Sequence, residues 1–360
     1  MRIAIIGPTH PYKGGIAQHT TELAHHLQQA GNDVTLVSWK SQYPFFYPGA
    51  QFVPDNKPEL PLFSPSKRVL SWKNPLGWLR LGRQLRGYDQ VIFAWWVPTI
   101  QGPVYLNILK AVGKNGPKIT IICHNAVAHK PRKGDKSLTR AIFGRADRII
   151  THTDAQAKLA SQFASKATEM KTVGLPLILL GKPPEVRSHK KLTHKLVFFG
   201  FIRPYKGVDV LLRAVAEVPS VKLHIAGEFW GGTDTYRQIM EELGLDRRVT
   251  ITEGYVPSEA IPALLSNADA LVLPYKTGTA SWNVTMAHAY GLPVIATSVG
   301  SMPEQINDGV DGLLCKPDDV KDLAKTIKHF YSGDVAKRLT QAVPSQKTDQ
   351  QWQTYLKAIV

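Results

Sequence analysis

The sequence is poor in the groups that build covalent or metal frameworks. It has two cysteines, Cys123 and Cys315, in 360 residues. That is too few for a disulfide framework or, on their own, a zinc site, and it fits a reducing compartment. No apolar run reaches the roughly 18 residues that a spanning helix needs. The opening MRIAIIGPTH reads as a strand and turn with no room for a signal peptide. These absences predict a soluble cytoplasmic protein. GxGxxG and GxxxxGK are both missing, so neither a dinucleotide fold nor a P-loop is supported, and a nicotinamide oxidoreductase is disfavoured. There is no HExxH and no Cys/His cluster. There is no Asp-x-Asp triplet, a common metal–diphosphate ligand, and no obvious carboxylate pair for glycoside hydrolysis. No metal and no resident cofactor are expected. The mode left is stabilisation of a leaving group by cations and helix dipoles.

Positive charge is plentiful and uneven. The chain carries 44 Lys and Arg against 28 Asp and Glu, a net of +16. Residues 1–183 hold 24 basic and 9 acidic side chains, and residues 184–360 hold 20 and 19. The first part is therefore built to face an anionic partner, or is simply basic and solvated. Apolar residues make up 43%, which excludes a wholly disordered chain.

Strand and helix patterns alternate. Residues 2–7 and Val34 to Ser38 read as strands around a helical stretch from Ile16 to Ala30. Further strands are expected at Gln90–Ala94, Lys118–Cys123 and Arg148–Thr151. A proline-rich, basic stretch near residue 180 reads as a linker. The alternation then restarts with strands at Leu196–Gly200, Val221–Ala226, Val249–Thr252, Ala270–Pro274 and Pro293–Thr297. Two doubly wound α/β domains follow, 1–183 and 184–340, each a parallel sheet covered on both faces. The last stretch, 341–360, is helical over Asp349–Ile359 and can stay with the second domain or cross back to the first. Ligands of such sheets sit at the carboxyl ends of strands, and two facing sheets make a cleft.

Four loops after strands stand out. GPTHPYKGGIAQHT places Gly14 and Gly15 at a helix N-terminus, where backbone can approach an anion; a plain glycine turn is the alternative. In FFGFIRPYKG a strand ends at Gly200, and Arg203 and Lys206 precede a helix, as a diphosphate clamp would or as a solvated basic loop would. Thr277, Gly278, Thr279, Ala280 and Ser281 run into a helix and offer amides and hydroxyls to a diphosphate; ordinary capping by Ser281 or Asn283 competes. In IICHNAVAHK, His124 and His129 lie just past a strand, with no third group at triad spacing.

Taken in order, GPTHPYKGGIAQHT, CHNAVAHK, FFGFIRPYKG, AGEFWGG, SNADALVLPY, AHAYGLPVIAT and GSMPEQINDGVDGLL resemble family 4 of the GT-B glycosyltransferases over nearly the whole chain. The resemblance implies a metal-independent, retaining transfer from a nucleotide diphosphate sugar, with the donor mainly on the C-terminal domain. By the same resemblance Arg203 and Lys206 contact the donor diphosphate. Gly14 and Gly15 meet the phosphates and help position the acceptor, and His124 stands near the transferred sugar. Gly227 and Glu228 follow a donor-domain strand, and Glu304 lies near the donor. One departure is plain: where the family commonly carries two glutamates eight positions apart, this chain has Gly278 and Met286. The Thr/Ser-rich loop Thr277–Ser281 resembles the replacement seen in some branches.

The retaining reaction implied needs no enzymic nucleophile, because the departing diphosphate can take the acceptor proton. Closure of the domains is expected to exclude water. In residues 67–87, Leu76, Trp78, Leu79, Leu81 and Leu85 mix with Arg80, Arg83 and Arg86, and Trp95 and Trp96 follow a nearby strand. A basic, Trp-bearing amphipathic stretch can lie on an anionic bilayer. The expected acceptor is then a lipid-linked glycan in polysaccharide or glycolipid assembly, reached by a protein peripheral at the cytoplasmic face of the membrane. A domain helix with one buried face is the plainer reading. Nucleic acid is not expected as a partner, since no recognised module accompanies the charge. A catalytically degenerate binding or scaffold protein of the same fold, and a sugar-nucleotide epimerase, remain as alternatives.

Overall fold

The structure is a computed structural model that describes residues 1–12, 14–42, 61–96, 98–127, 132–178, 191–278, 281–344 and 348–360. The chain divides into two compact units, Met1–Ile178 with Thr348–Val360, and Leu179–Lys347.

The first unit alternates strands β1 (Arg2–Ile6), β2 (Asp33–Ser41), β3 (Ser66–Ser71), β4 (Gln90–Trp95), β5 (Lys118–Cys123), β6 (Arg148–Thr151) and β7 (Glu169–Thr172) with helices. The helices are α1 (Gly15–Gln29), α2 (Pro75–Leu85), α3 (Pro98–Val112), α4 (Asp135–Phe143) and α5 (Asp154–Ser161). The sheet order is β3-β2-β1-β4-β5-β6-β7, with every pairing parallel. Strand β1 is buried from Ile3 to Ile6, and β4 along its whole length. Unbroken apolar runs of this kind are what a parallel sheet covered on both faces requires. The order reverses between β1 and β4, the position at whose carboxyl ends sheets of this kind bind ligands.

The second unit repeats the plan. Its strands are β8 (Lys195–Phe199), β9 (Lys222–Gly227), β10 (Val249–Glu253), β11 (Ala270–Leu273), β12 (Val294–Thr297) and β13 (Gly312–Cys315), in the parallel order β10-β9-β8-β11-β12-β13. Its helices are α6 (Val208–Ala216), α7 (Asp234–Glu242), α8 (Ile261–Ser266), α9 (Trp282–Ala289), α10 (Met302–Gln305), α11 (Val320–Phe330) and α12 (Val335–Ala342). Here the reversal lies between β8 and β11.

The last helix, α13 (Thr348–Ile359), goes with the first unit. Arg148 Nη1 donates to the carbonyls of Ala358, Ile359 and Val360, at 3.0, 2.7 and 3.2 Å, and so satisfies carbonyls at the end of the helix. Gln90 Nε2 adds a bond to the Ile359 carbonyl, and Trp352 Nε1 donates to the Leu177 carbonyl.

The packing corrects the expected membrane face. Trp95 and Trp96 are 0% and 7% exposed, because β4 is a central strand with both faces covered. Trp95 packs on Tyr105 and Phe143. Trp78 is also buried, its Nε1 donating to the Ser71 carbonyl at 2.7 Å. With Leu81, Gly82 and Leu85 it forms the inward stripe of α2, at the spacing one helix face demands. Arg80 and Arg83 are exposed, and Leu76 is 79% exposed. No helix among the described residues is long and apolar enough to cross a membrane.

Candidate functional site

In the second unit, the loops after β8 and β11 flank the reversal of strand order. Gly207 (φ +69°) follows a short 3-10 turn over Pro204–Lys206. A side chain on Gly207 would collide with the Pro274 carbonyl, so only glycine lets the two loops come this close. A side chain on Gly227 would strike the Gly200 carbonyl, and this holds the β9 loop against the β8 loop. A bridge between Ile202 and Phe229 closes that contact, with Ile202 N–H donating to the Glu228 carbonyl at 2.9 Å.

These approaches set the two predicted cations on aromatic faces. The Arg203 guanidinium lies 3.6 Å from the centroid of Trp230, and Lys206 Nζ lies 3.6 Å from that of Tyr275. Cations near ring faces are attracted by the ring quadrupole without being neutralised, so their charge stays available to an anion. Arg203 Nε is buried with no hydrogen-bond partner among the described residues. Burial lowers the Lys206 pKa to about 8, with the Arg203 charge acting the same way and Tyr205 opposing both. Lys276 differs: it is paired with Asp209 at 2.7 Å and Asp318 at 3.3 Å. Among the described residues no carboxylate pairs with Lys206.

The loop after β11 is braced from within. Tyr275, neutral with its pKa pushed up to about 12 by burial, shares a hydrogen bond with Ser281 Oγ at 3.1 Å. Gln305 grips Ser281 twice: its Oε1 accepts the Ser281 N–H at 3.0 Å, and its Nε2 donates to the Ser281 carbonyl at 3.3 Å. Asn283 Nδ2 donates to the Phe199 carbonyl at 2.9 Å and ties α9 to the end of β8. The Ser281 and Asn283 groups named in these bonds are thus committed within the protein and shape the loop. Glu304 is exposed on α10, and its neighbour Gln305 makes the bracing bonds. Thr279, Ala280 and His129 lie outside the described residues.

The first unit brings different chemistry together. Gly14 (φ +101°) caps α1 without a side-chain bond, and Gly15 begins that helix. His124 follows β5, its N–H donating to the Trp95 carbonyl at 2.9 Å. Its ring lies 5.2 Å from that of His19 on α1 and 5.1 Å from that of His152 after β6. The helix opened by the glycine loop therefore meets His124 through His19. Burial holds the pKa of His19 and His124 well below the usual histidine value and lowers that of His152 to about 4. All three rings are neutral at pH 7, so they can donate and accept hydrogen bonds but supply no charge. A basic cavity of about 880 Å³, lined in part by Lys110, Lys114, Lys118 and Arg145, sits at the amino ends of β5 and β6, away from His124.

Reasoning from sequence missed Trp230, Gln305, His19 and His152. Trp230 had a signal, an aromatic directly after Gly227-Glu228-Phe229 in a loop past a strand. His152 had the same signal as His124, a histidine immediately after a buried strand.

Two family models match in succession. Glycosyltransferase Family 4 covers residues 13–173, and Glycosyl transferases group 1 covers residues 182–347. The chain is 31% identical over 210 residues to the D-inositol 3-phosphate glycosyltransferase of Mycolicibacterium smegmatis, covering 54% of this chain and 48% of that protein. The counterpart from Mycobacterium marinum is 30% identical over 201 residues, covering 52% and 42%. The chain spans about half the length of these curated relatives. Among solved structures, sucrose-phosphate synthase from Thermosynechococcus elongatus superposes with TM-score 0.75 at 20% identity, covering 99% of both chains. Anabaena HepE in complex with UDP and glucose gives 0.76 at 16% identity, covering 100% of this chain and 99% of that one. Two parallel-sheet units with this topology, matched in turn by these two models, place the chain in the group 1, family 4-like glycosyltransferases of the GT-B fold.

Proposed function

We propose that the protein moves a sugar from a nucleotide diphosphate sugar to a glycan or lipid-linked acceptor, with retention of configuration and without a metal. The observation that carries this reading is the pair Arg203 and Lys206, held over Trp230 and Tyr275 at the strand-order reversal of the second unit. Two cations with no carboxylate partner among the described residues, set on neutral rings, match the charge of a departing diphosphate. The missing Asp-x-Asp triplet argues for cations in place of a metal. In the reaction the glycosidic bond to the diphosphate breaks as the acceptor oxygen bonds to the anomeric carbon on the same face. The diphosphate oxygen takes the acceptor proton. Arg203 and Lys206 stabilise the negative charge that grows on it, and neutral His124 orients a hydroxyl of the sugar or acceptor by hydrogen bonding.

Solved neighbours include HepE with UDP-glucose and Staphylococcus aureus TarM with UDP. A diphosphate-sugar donor is consistent with both. Binding at an anionic membrane surface is part of the proposal, on a face different from the tryptophans. Val69 and Leu76 are exposed beside the exposed cations Lys67, Lys73, Arg80 and Arg83, a pattern suited to a bilayer interface. A donor-binding protein without turnover is the second reading, favoured by Gly278 and Met286 where carboxylates are common in the family. Transfer or donor hydrolysis by purified protein, followed by product analysis, separates the two. Product formation supports the transferase, and donor binding without any turnover supports the second reading.

A further inference from the structure

Behind His124 lies a closed group of polar rings. His19 stands edge-on to it at 85°, and His152 is tilted at 42°. His19 and His152 are themselves 6.0 Å apart. The far side of the group is made by α13. Tyr355 lies 5.2 Å from His19, edge-on at 87°, and 5.9 Å from His152, stacked at 26°. Trp352 stacks on His19 at 5.8 Å and on His26 at 4.2 Å. Each of these rings except His26 is thus held by two or more others.

The group is unusual in what it leaves unmet. Both ring nitrogens of His19, Nε2 of His124, Nε2 of His152 and the Tyr355 hydroxyl are buried without a hydrogen-bond partner among the described residues. Each such group is a cost to the fold that an apolar side chain of similar shape would avoid. Histidine rings at these positions therefore call for a reason beyond packing, while Tyr355 contributes its ring faces to His19 and His152. His152 Nδ1 lies 3.3 Å from the Val173 carbonyl, which assigns the proton to Nδ1 and turns the Nε2 lone pair inward. The rings are neutral, so orientation and tautomer, not charge, are what the group can control.

We propose that His19, His152 and Tyr355 are positioning residues that hold the His124 ring, so that the last helix in the sequence fixes the group that hydrogen-bonds the sugar or acceptor. The proposal rests on the reading of His124 given under Proposed function.

The test is a double-mutant cycle on the full chain with His124→Ala, Tyr355→Leu and the two combined, read as kcat and KM for transfer. Tyr355→Leu is expected to lower kcat about tenfold with the donor KM changed less than about twofold, the signature of a disturbed transition-state contact. Adding it to His124→Ala is expected to cost nothing further, since both remove one interaction. Tyr355→Phe, which keeps the ring, is expected to recover the rate. In ¹⁵N-edited imidazole spectra, Tyr355→Leu is expected to shift the His124 signals, which a merely structural role would leave in place once folding is intact. Additive losses in the cycle, or a wild-type kcat for Tyr355→Leu, overturn the proposal. If Tyr355→Leu does not fold, His152→Asn takes its place in the same cycle. Wild-type rates for His124→Ala sink the underlying reading instead, and the two failures are told apart by that single variant.

Discussion

The two units place charge in opposite ways. The first part of the sequence, residues 1–183, carries 24 basic side chains against 9 acidic ones, yet its candidate cluster is a set of neutral, buried histidines. The second part is nearly balanced, with 20 against 19, and holds the two cations seated on aromatic faces. Net charge and local chemistry are therefore separate properties. Part of the excess in the first unit lies on α2 and around the basic cavity at the amino ends of β5 and β6. In the second unit the placement of two cations matters, and packing supplies it: Gly207 and Gly227 bring loops together, and Trp230 and Tyr275 seat the charges without neutralising them.

That contrast can be broken at several points. The largest effect is expected on stability in the first unit, where Trp95→Ala should cost about 3–5 kcal/mol in urea unfolding, as removal of a fully buried aromatic does. A change near zero would return Trp95 to the surface face first expected for it. Next is Lys206→Ala, which removes a charge-assisted contact worth about 3 kcal/mol at the transition state, or roughly 100-fold in kcat. A loss below about fivefold contradicts the clamp. Gln305→Leu strips both bonds from Ser281 and should cost about 1–3 kcal/mol of stability, since it leaves a buried N–H unmet. Thermal unfolding checks this.

The smallest effect is one of pH, and its sign follows from burial. With the Lys206 pKa lowered to about 8, the side chain is mostly charged at pH 7 and loses its proton as pH rises through 8. Nucleotide affinity should therefore fall between about pH 7 and pH 9, with protons taken up on binding near pH 8. Lys206→Arg should flatten the profile, because a guanidinium keeps its charge throughout this range. A flat profile in the unmodified protein would show that Lys206 does not meet the diphosphate.

The fold was legible in the sequence mostly where strands are buried, with two exceptions: the buried β13 went unread, and the largely exposed edge strand β10 was read from Val249–Thr252. Lys118–Cys123 and Arg148–Thr151 occupy the residues expected from their apolar runs. Strands β3 and β7 were not visible, because both lie at sheet edges, where β3 exposes four of its six residues and β7 buries none of its four, leaving no apolar run to read. Tryptophans misled for a related reason. Composition tells that Trp78, Trp95 and Trp96 are large and apolar but not which way they point, and a central strand and an inward helix stripe turned all three inside. In the site, Arg203 and Lys206 could be read from their place between a strand and a helix. Their aromatic seats could not, because Trp230 and Tyr275 reach them through loop contacts 27 and 69 residues further on. The side of the chain that α13 joins was open for the same reason: Arg148 finds its carbonyls at a separation of more than 200 residues.

The central claim is that the second unit binds a nucleoside diphosphate through Arg203 and Lys206. Calorimetric titration of the intact protein and of Arg203→Ala with UDP, GDP, ADP and TDP tests it most directly. The account predicts that one nucleotide binds the unmodified protein and that Arg203→Ala weakens it by at least about tenfold, the size of one charge-assisted contact. Binding of none of the four, or equal affinity in the variant, would contradict it.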